Sequence, residues 1–446
     1  MKENIFNKLS ISKILEKYKT GDLTPVDVIE ECIKKTELYE EKYKAWVCFD
    51  KELLRKKAVE SSKRILNGEK TKDLEGIPIG VKDIYNSIEF PTQMGSPLWK
   101  DFTPGNDART VFYLKQAGAI IAGKTVTAEF AVHTLDKTLN PHDITKTPGT
   151  SSSGSAAAIA LGMVPVALGT QTAGSIIRPA SFCGVYGCKP SFGLLPRTGI
   201  LKTTDSLDSL GFFVAQCQDL HRIFDIMSVK GPNYPISHKA LKDFRRQNKD
   251  LNRPWRVAFV KTHTWEDSYD YAKNEILNFI SKLSNDKNIE IVEIELPEIM
   301  NNTHEMHASI YDKALSYYFK EEFQKAELVS PIMNKLIENG NRINVEKYHN
   351  ALAYQTEICH VMDNLLEGFD AMISLSTAGE APPRGEFEKN DPALMWTMTH
   401  LPVVNVPAFT SPTGLPFGVQ IAARKYNDLL LFRFLNYLKD NKYIPE

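Results

Sequence analysis

No stretch of this 446-residue chain reaches the roughly 18 consecutive apolar residues of a membrane span. The N-terminal run MKENIFNKLSISKILEKYK lacks the roughly 7 to 15 residue apolar core of a secretory signal, so a cytoplasmic protein is expected. Charge of one sign is missing too. Lys and Arg number 54 against 55 Asp and Glu, and no broad field favours nucleic acid or an anionic membrane. The six cysteines (Cys32, Cys48, Cys183, Cys188, Cys217, Cys359) form no CxxC pair and no dense framework, and they read as reduced thiols. Internal repeats and low-complexity tracts are absent, which argues against a solenoid or a disordered chain. GxSxG is missing as well, and none of the ten histidines sits in a recognisable histidine-base context.

What is present begins with hydrophobic content of 42%, enough to bury a large core. The most informative stretch is PGTSSSGSAAAIALGMVPVALGTQTAGSIIRPASFCGVYGCKP, residues 148–190. Ser155 is expected to cap a helix of small residues (Ala156, Ala157, Ala158, Ala160, Gly162) that packs closely on neighbouring backbone. Val164, Val166 and Leu168 alternate as a half-buried strand would. Thr172, Ala173, Gly174 and Ser175 then offer consecutive backbone N–H groups where Ile176 opens a new segment, a corner suited to an anion.

In chain order, Thr24 and Pro25 open an amphipathic helix carrying Val28, Ile29, Cys32 and Ile33, and residues 50–66 form a second one. Ile77, Ile79 and Val81 alternate as a strand, with Pro78, Gly80 and Lys82 on its other face. Lys82 therefore emerges beside small residues, where an ordinary surface lysine is the alternative. Asp107 is expected to cap a helix running to Ala117, followed by a strand over 119–122. The polar, basic run over 231–253 is the one place that resembles a linker or domain boundary. Strands follow over 255–260 and 289–296, a helical region over 306–336 is interrupted at Pro331, and three strands (369–375, 402–409, 417–422) precede a closing helix from about Asn427.

A serine attacks a carbonyl only when a base takes its proton and donors hold the oxyanion. Ser175, with the backbone N–H groups of Thr172, Ala173, Gly174 and Ser175 itself, satisfies the second condition. Lysine meets the first if burial lowers its pKa, because desolvation disfavours the ammonium. Lys82 is the lysine so placed.

The ensemble GIPIGVKD (76–83), PGTSSSGSAAA (148–158) and GTQTAGSIIRPASFCGVYGCKP (169–190) resembles the amidase signature family, strongly over about residues 76–213 and weakly again in LPVVNVPAF and GLPFGVQIAAR. The resemblance implies a single large α/β domain over 1–446, a mixed sheet surrounded by helices. Its parts would be a helical region (1–70), a catalytic core (71–230), a variable pocket-forming region (231–365) and C-terminal strands with a helix (366–446). It also implies a cofactor-independent, metal-free hydrolase in which Ser175 is the acylated nucleophile, Ser151 a bridging serine on a cis peptide bond and Lys82 the general base. Ser152 and Ser155 are supporting residues. The expected partner is a small-molecule amide, with no nucleic acid and no membrane; a homodimer stays open.

Departures from the family pattern fall at Thr150, Ser153 and Ala173, where glycine is common, at Gln171, where aspartate is, and at Arg178, displaced by one residue. Gln171 and Arg178 are expected to compensate one another as a lost ion pair. Three functions stay open: a stand-alone amidase, the glutaminase subunit of a tRNA-dependent amidotransferase, and a non-catalytic scaffold. GTQTAGSIIRPA and DSLDSLGFF depart from the runs expected of the glutaminase subunit, and DPALMWTMTHLPVVNVPAF resembles amidases that act alone, so a self-sufficient hydrolase is expected. Cys183 and Cys188 read as buried small hydrophobes. His304 and His307 share a helix face but lack the further ligands of a metal site. Tyr311, Tyr317, Tyr318 and Phe319 either line a pocket or pack on the core.

Overall fold

Val, Ile and Phe concentrate in short runs bounded by Gly, Pro and Ser, and the central ones become strands buried on both faces, while those at the two edges of the sheet stay partly exposed. The computed structural model describes residues 4–229, 235–250, 252–386, 388–390 and 392–445. Among them lie β1 (Trp46–Phe49), β2 (Pro78–Lys82), β3 (Ile120–Thr125), β4 (Val166–Gln171), β5 (Tyr186–Lys189), β6 (Ser209–Val214), β7 (Trp255–Val260), β8 (Ile289–Ile294), β9 (Ala371–Leu375), β10 (Val403–Thr410) and β11 (Pro416–Ala422). They form one sheet in the order β1-β3-β2-β4-β6-β5-β10-β11-β9-β7-β8. It is mixed: β2 runs parallel to β3 and β4, β7 runs parallel to β8 and β9, and the remaining pairs are antiparallel. This is a single α/β domain whose sheet is surrounded by helices.

The strand at Val166 is not half-buried as its alternation predicts. All six residues of β4 are buried, because it lies between β2 and β6. Beside it runs the helix Ser153–Ala160, whose small side chains allow close approach: a Cβ placed on Gly154 would stand 2.4 Å from both the Ala45 carbonyl oxygen and the Val126 nitrogen. Its N-cap position is Ser152, without a side-chain cap, so Ser155 is not the cap. Ser155 Oγ instead donates to the Leu168 carbonyl at 2.7 Å and fastens the helix to β4. Asp107 caps no helix either. The helix there is Arg109–Gln116 with Ala108 at its N-cap, and Asp107 takes the Ile88 N–H (2.9 Å) and the Lys115 ammonium (2.8 Å). Both serine and aspartate found partners that outcompete a local cap. Thr24 and Asp50 do cap their helices, Pro25–Tyr43 and Lys51–Leu66.

The basic run over 231–253 separates no two sheets, since strands from both sides of it pair through β5 and β10. Residues 231–234 and 251 lie outside the described residues. Within the rest, helix Phe244–Gln247 docks on the closing helix Asp428–Asp440 and its N-cap, where Gln247 accepts from the Leu429 N–H at 3.1 Å and Arg246 Nε donates to Asn427 Oδ1 at 3.0 Å. It holds helix Pro235–Lys242 through Gln247 Nε2, which donates to the Ala240 carbonyl at 2.7 Å. No helix of the described residues is long and apolar enough to cross a membrane.

Candidate active site

β2 and β4 are parallel neighbours, with Ile79 opposite Val166 and Val81 opposite Leu168. Their C-terminal ends, Lys82 and Gln171, therefore reach the same edge of the sheet, where the loops that follow can meet. The Lys82 side chain is wholly buried. Its Nζ lies 2.7 Å from Ser151 Oγ, 3.0 Å from Ser152 Oγ and 3.0 Å from Thr170 Oγ1, all three hydroxyls. Burial pushes the Lys82 pKa well below the usual lysine range, with the negative charge of Asp208 acting weakly in the opposite sense.

The Thr150–Ser151 peptide is cis, as the resemblance implies. Gly149 before it has φ of +84°, and a Cβ there would stand 2.8 Å from Pro179 Cα. The serine loop thus lies directly against the helix Ile177–Cys183 that follows Ser175. Ser175 itself is 5% exposed. Ser152 Oγ donates to the Thr170 carbonyl at 3.3 Å, so its proton is committed to the strand. Ser155 does not reach Lys82 and belongs to the helix–strand fastening described above.

The loop from Thr172 to Ser175 is fixed on every side. The Thr172 carbonyl accepts from His307 Nε2 at 2.8 Å, the Ala173 carbonyl from Thr397 Oγ1 at 2.7 Å and the Gly174 carbonyl from the Arg178 N–H at 2.9 Å. Gln171 Oε1 accepts from the Ile176 and Ile177 N–H groups at 2.9 and 3.0 Å, and its Nε2 donates to Thr397 Oγ1 at 3.1 Å. Arg178 pairs with Glu388. Gln171 and Arg178 therefore contact different partners, and the expected mutual compensation is not what either does.

Asp208 gathers the neighbouring hydroxyls. It accepts from Thr172 Oγ1 (3.0 Å), Thr203 Oγ1 (2.6 Å) and Thr204 Oγ1 (2.9 Å), and from the Thr203 and Thr204 N–H groups (2.8 and 3.1 Å). A cavity of about 100 Å³ opens beside it, lined by Ile84, Ala131, Thr170, Thr172 and Leu201, so it touches both the Lys82 cluster and the start of the N–H loop. The solvent-exposed His133 ring lies 6.1 Å from the Tyr311 ring.

The two histidines read as a weak metal pair do not converge. His304 Nδ1 lies 2.7 Å from His263 Nε2, while His307 turns to Thr172. Of the aromatic set, Tyr311 packs 5.6 Å from the His307 ring and Phe319 4.8 Å from Phe130, whereas Tyr317 is 75% exposed. Cys183 and Cys188 are buried, and burial raises both thiol pKa values. Thr170, Asp208, His307 and Thr397 are absent from the predicted site. Thr170, Asp208 and Thr397 fall within quoted runs, but their partners do not follow from spacing, since the contacts that give Thr397 and His307 their places span up to 226 and 135 residues.

A buried lysine whose pKa is lowered by burial thus lies beside serine hydroxyls, and the loop that carries them packs against the helix that follows Ser175. The chain belongs to the amidase family, whose model matches residues 27–432. It is 28% identical to the A subunit of the glutamyl-tRNA(Gln) amidotransferase of Sulfurihydrogenibium sp. (strain YO3AOP1), over 98% of this chain and 99% of that protein. Over 230 residues, 50% of this chain and 47% of the other, it is 36% identical to the corresponding protein of Carboxydothermus hydrogenoformans. Among solved structures, an inhibitor-bound vestigial protein complex related to the origins of an s-triazine catabolic enzyme superposes with a TM-score of 0.86 at 25% identity, covering 98% of this chain and 99% of that one.

Proposed function

We propose that this protein hydrolyses the C–N bond of a small carboxylic amide through an acyl-enzyme on Ser175. The observation that carries the reading is the contact of fully buried Lys82 with Ser151. Ser152 donates to the Thr170 carbonyl, and Ser151, at 2.7 Å the nearest of the three hydroxyls to Lys82 Nζ, gives its proton to a neutral Lys82 amine. Ser151 then draws the Ser175 proton as Ser175 Oγ attacks the carbonyl carbon. The oxyanion settles on the loop N–H groups, where each well-aimed donor lowers the barrier by about 3–4 kcal/mol. Collapse breaks the C–N bond, and the amine leaves with the proton returned from Lys82 through Ser151. Water then repeats the sequence on the ester, releasing the acid and restoring Ser175.

A second reading, the glutaminase component of a tRNA-dependent amidotransferase, is favoured by full-length similarity to such proteins. The purified chain alone, given a panel of simple amides and glutamine, distinguishes them through the amine released. Hydrolysis of simple amides without other components is expected. Inert amides, together with glutamine-dependent transamidation on adding Glu- or Asp-charged tRNA and partner subunits, would establish the second reading instead.

A further inference from the structure

Within a trans peptide group the carbonyl of one residue and the N–H of the next point in opposite directions on one rigid plane. Whatever grips a carbonyl therefore aims the following N–H. The peptide groups between Thr172 and Ser175 are trans, and each of their carbonyls is gripped. The Gly174 carbonyl is held locally, by the Arg178 N–H one helical turn on. The other two are held by side chains from distant helices: His307 from Thr303–Tyr318 and Thr397 from Ala393–Met398.

The donors are unambiguous. A carbonyl oxygen only accepts, so His307 carries its proton on Nε2. Burial pushes that ring's pKa down to about 4, with its bond to Thr172 opposing, so the imidazole is neutral near pH 7. Thr397 Oγ1 accepts from Gln171 Nε2, which leaves its own proton for the Ala173 carbonyl at 2.7 Å; the other acceptor in reach, Ala393 O, is at 3.4 Å. Both side chains are buried, at 4% and 0% exposure, so neither bond competes with bulk water.

We propose that His307 and Thr397 are positioning residues that aim the Ala173 and Gly174 N–H groups at the oxyanion. This rests on the reading of Ser175 as nucleophile. Neither residue touches substrate. Each acts through one peptide plane, so its loss slows formation of the tetrahedral species while leaving ground-state binding in place.

The test compares His307→Phe with His307→Gln, and Thr397→Val with Thr397→Ser, the second of each pair keeping a donor. Two quantities are read: kcat and KM for the amide the wild type turns over fastest, and the rate of Ser175 phosphorylation by a fluorophosphonate. The donor-less variants are expected to lose about 10- to 100-fold in kcat and in labelling rate, a fraction of what losing a donor outright costs. KM should stay within about threefold, and the donor-keeping variants should recover most of the loss. Unchanged kcat in folded His307→Phe and Thr397→Val, or equal losses in both members of each pair, overturns the proposal. If one donor-less variant does not fold, the other decides. A wild type that the fluorophosphonate labels elsewhere than Ser175 refutes the nucleophile instead, and the two failures are distinct.

Discussion

Gln171 Nε2 donates to Thr397 Oγ1 at 3.1 Å, across 226 residues of chain. The amide also accepts from the Ile176 and Ile177 N–H groups, so this one side chain uses both its acceptor and its donor. A carboxylate there could accept but not donate, and Thr397 spends its own proton on Ala173. Gln171→Glu is therefore expected to lose about 1–3 kcal/mol in urea denaturation, the cost of an unmet buried polar contact. It should also slow turnover, because Thr397 is released from one side. A variant as stable and as fast as wild type would show that the donor is dispensable.

Lys82 supplies a pH signature. Its folded pKa is depressed by burial while the unfolded chain titrates near about 10.4. Between those two values the unfolded state binds the extra proton, so stability rises with pH across that window and is lower below it. Turnover should rise over the acidic side as the amine deprotonates. Lys82→Met is expected to flatten the stability slope and abolish turnover. Lys82→Arg should stay inactive, since arginine does not deprotonate there. Denaturation midpoints and rates measured at a series of pH values check both.

Asp208 opposes the depression of Lys82 through its negative charge. Asp208→Asn removes the charge and keeps one of the two acceptor oxygens, so the acidic limb of the rate profile should move to lower pH. Asp208→Ala also strips the partners of Thr172, Thr203 and Thr204, for a loss of about 3 kcal/mol or more. An acidic limb unmoved in the asparagine variant would separate Asp208 from Lys82.

Asp219 is buried beneath the N-terminus of helix Ile11–Thr20, accepting from the Ile11 N–H, and burial raises its pKa to about 7. The folded state then binds the extra proton from the ordinary carboxylate range up to about pH 7, and stability falls as pH rises through that window. Asp219→Asn should match wild type in acid and exceed it above pH 7 by up to about 4 kcal/mol. Parallel stability curves for the two proteins would contradict this.

The triad candidates and their loop were legible because three local motifs carry them; β2 alternation places Lys82 among small residues, and only the other two motifs set it apart from a surface lysine. Most strands were legible from alternation and short apolar runs; β1 and β5 were not, since Trp46–Phe49 and Tyr186–Lys189 are four residues each. Ser155 and Asp107 misled because capping is a local inference, and both side chains are claimed by residues outside the first turn they would cap. The places of His307 and Thr397 were invisible for a related cause. Their roles exist only once distant segments of the chain close over one another, and no spacing records that.

The most direct measurement of the central claim is the site of covalent capture. Native protein treated with a fluorophosphonate and mapped by mass spectrometry should carry one adduct, on Ser175. Lys82→Ala should slow its formation by orders of magnitude, and Ser175→Ala should leave the chain unlabelled. An adduct on Ser151 or Ser152 that persists in Ser175→Ala, or labelling of Ser175 that is indifferent to Lys82, would contradict the account.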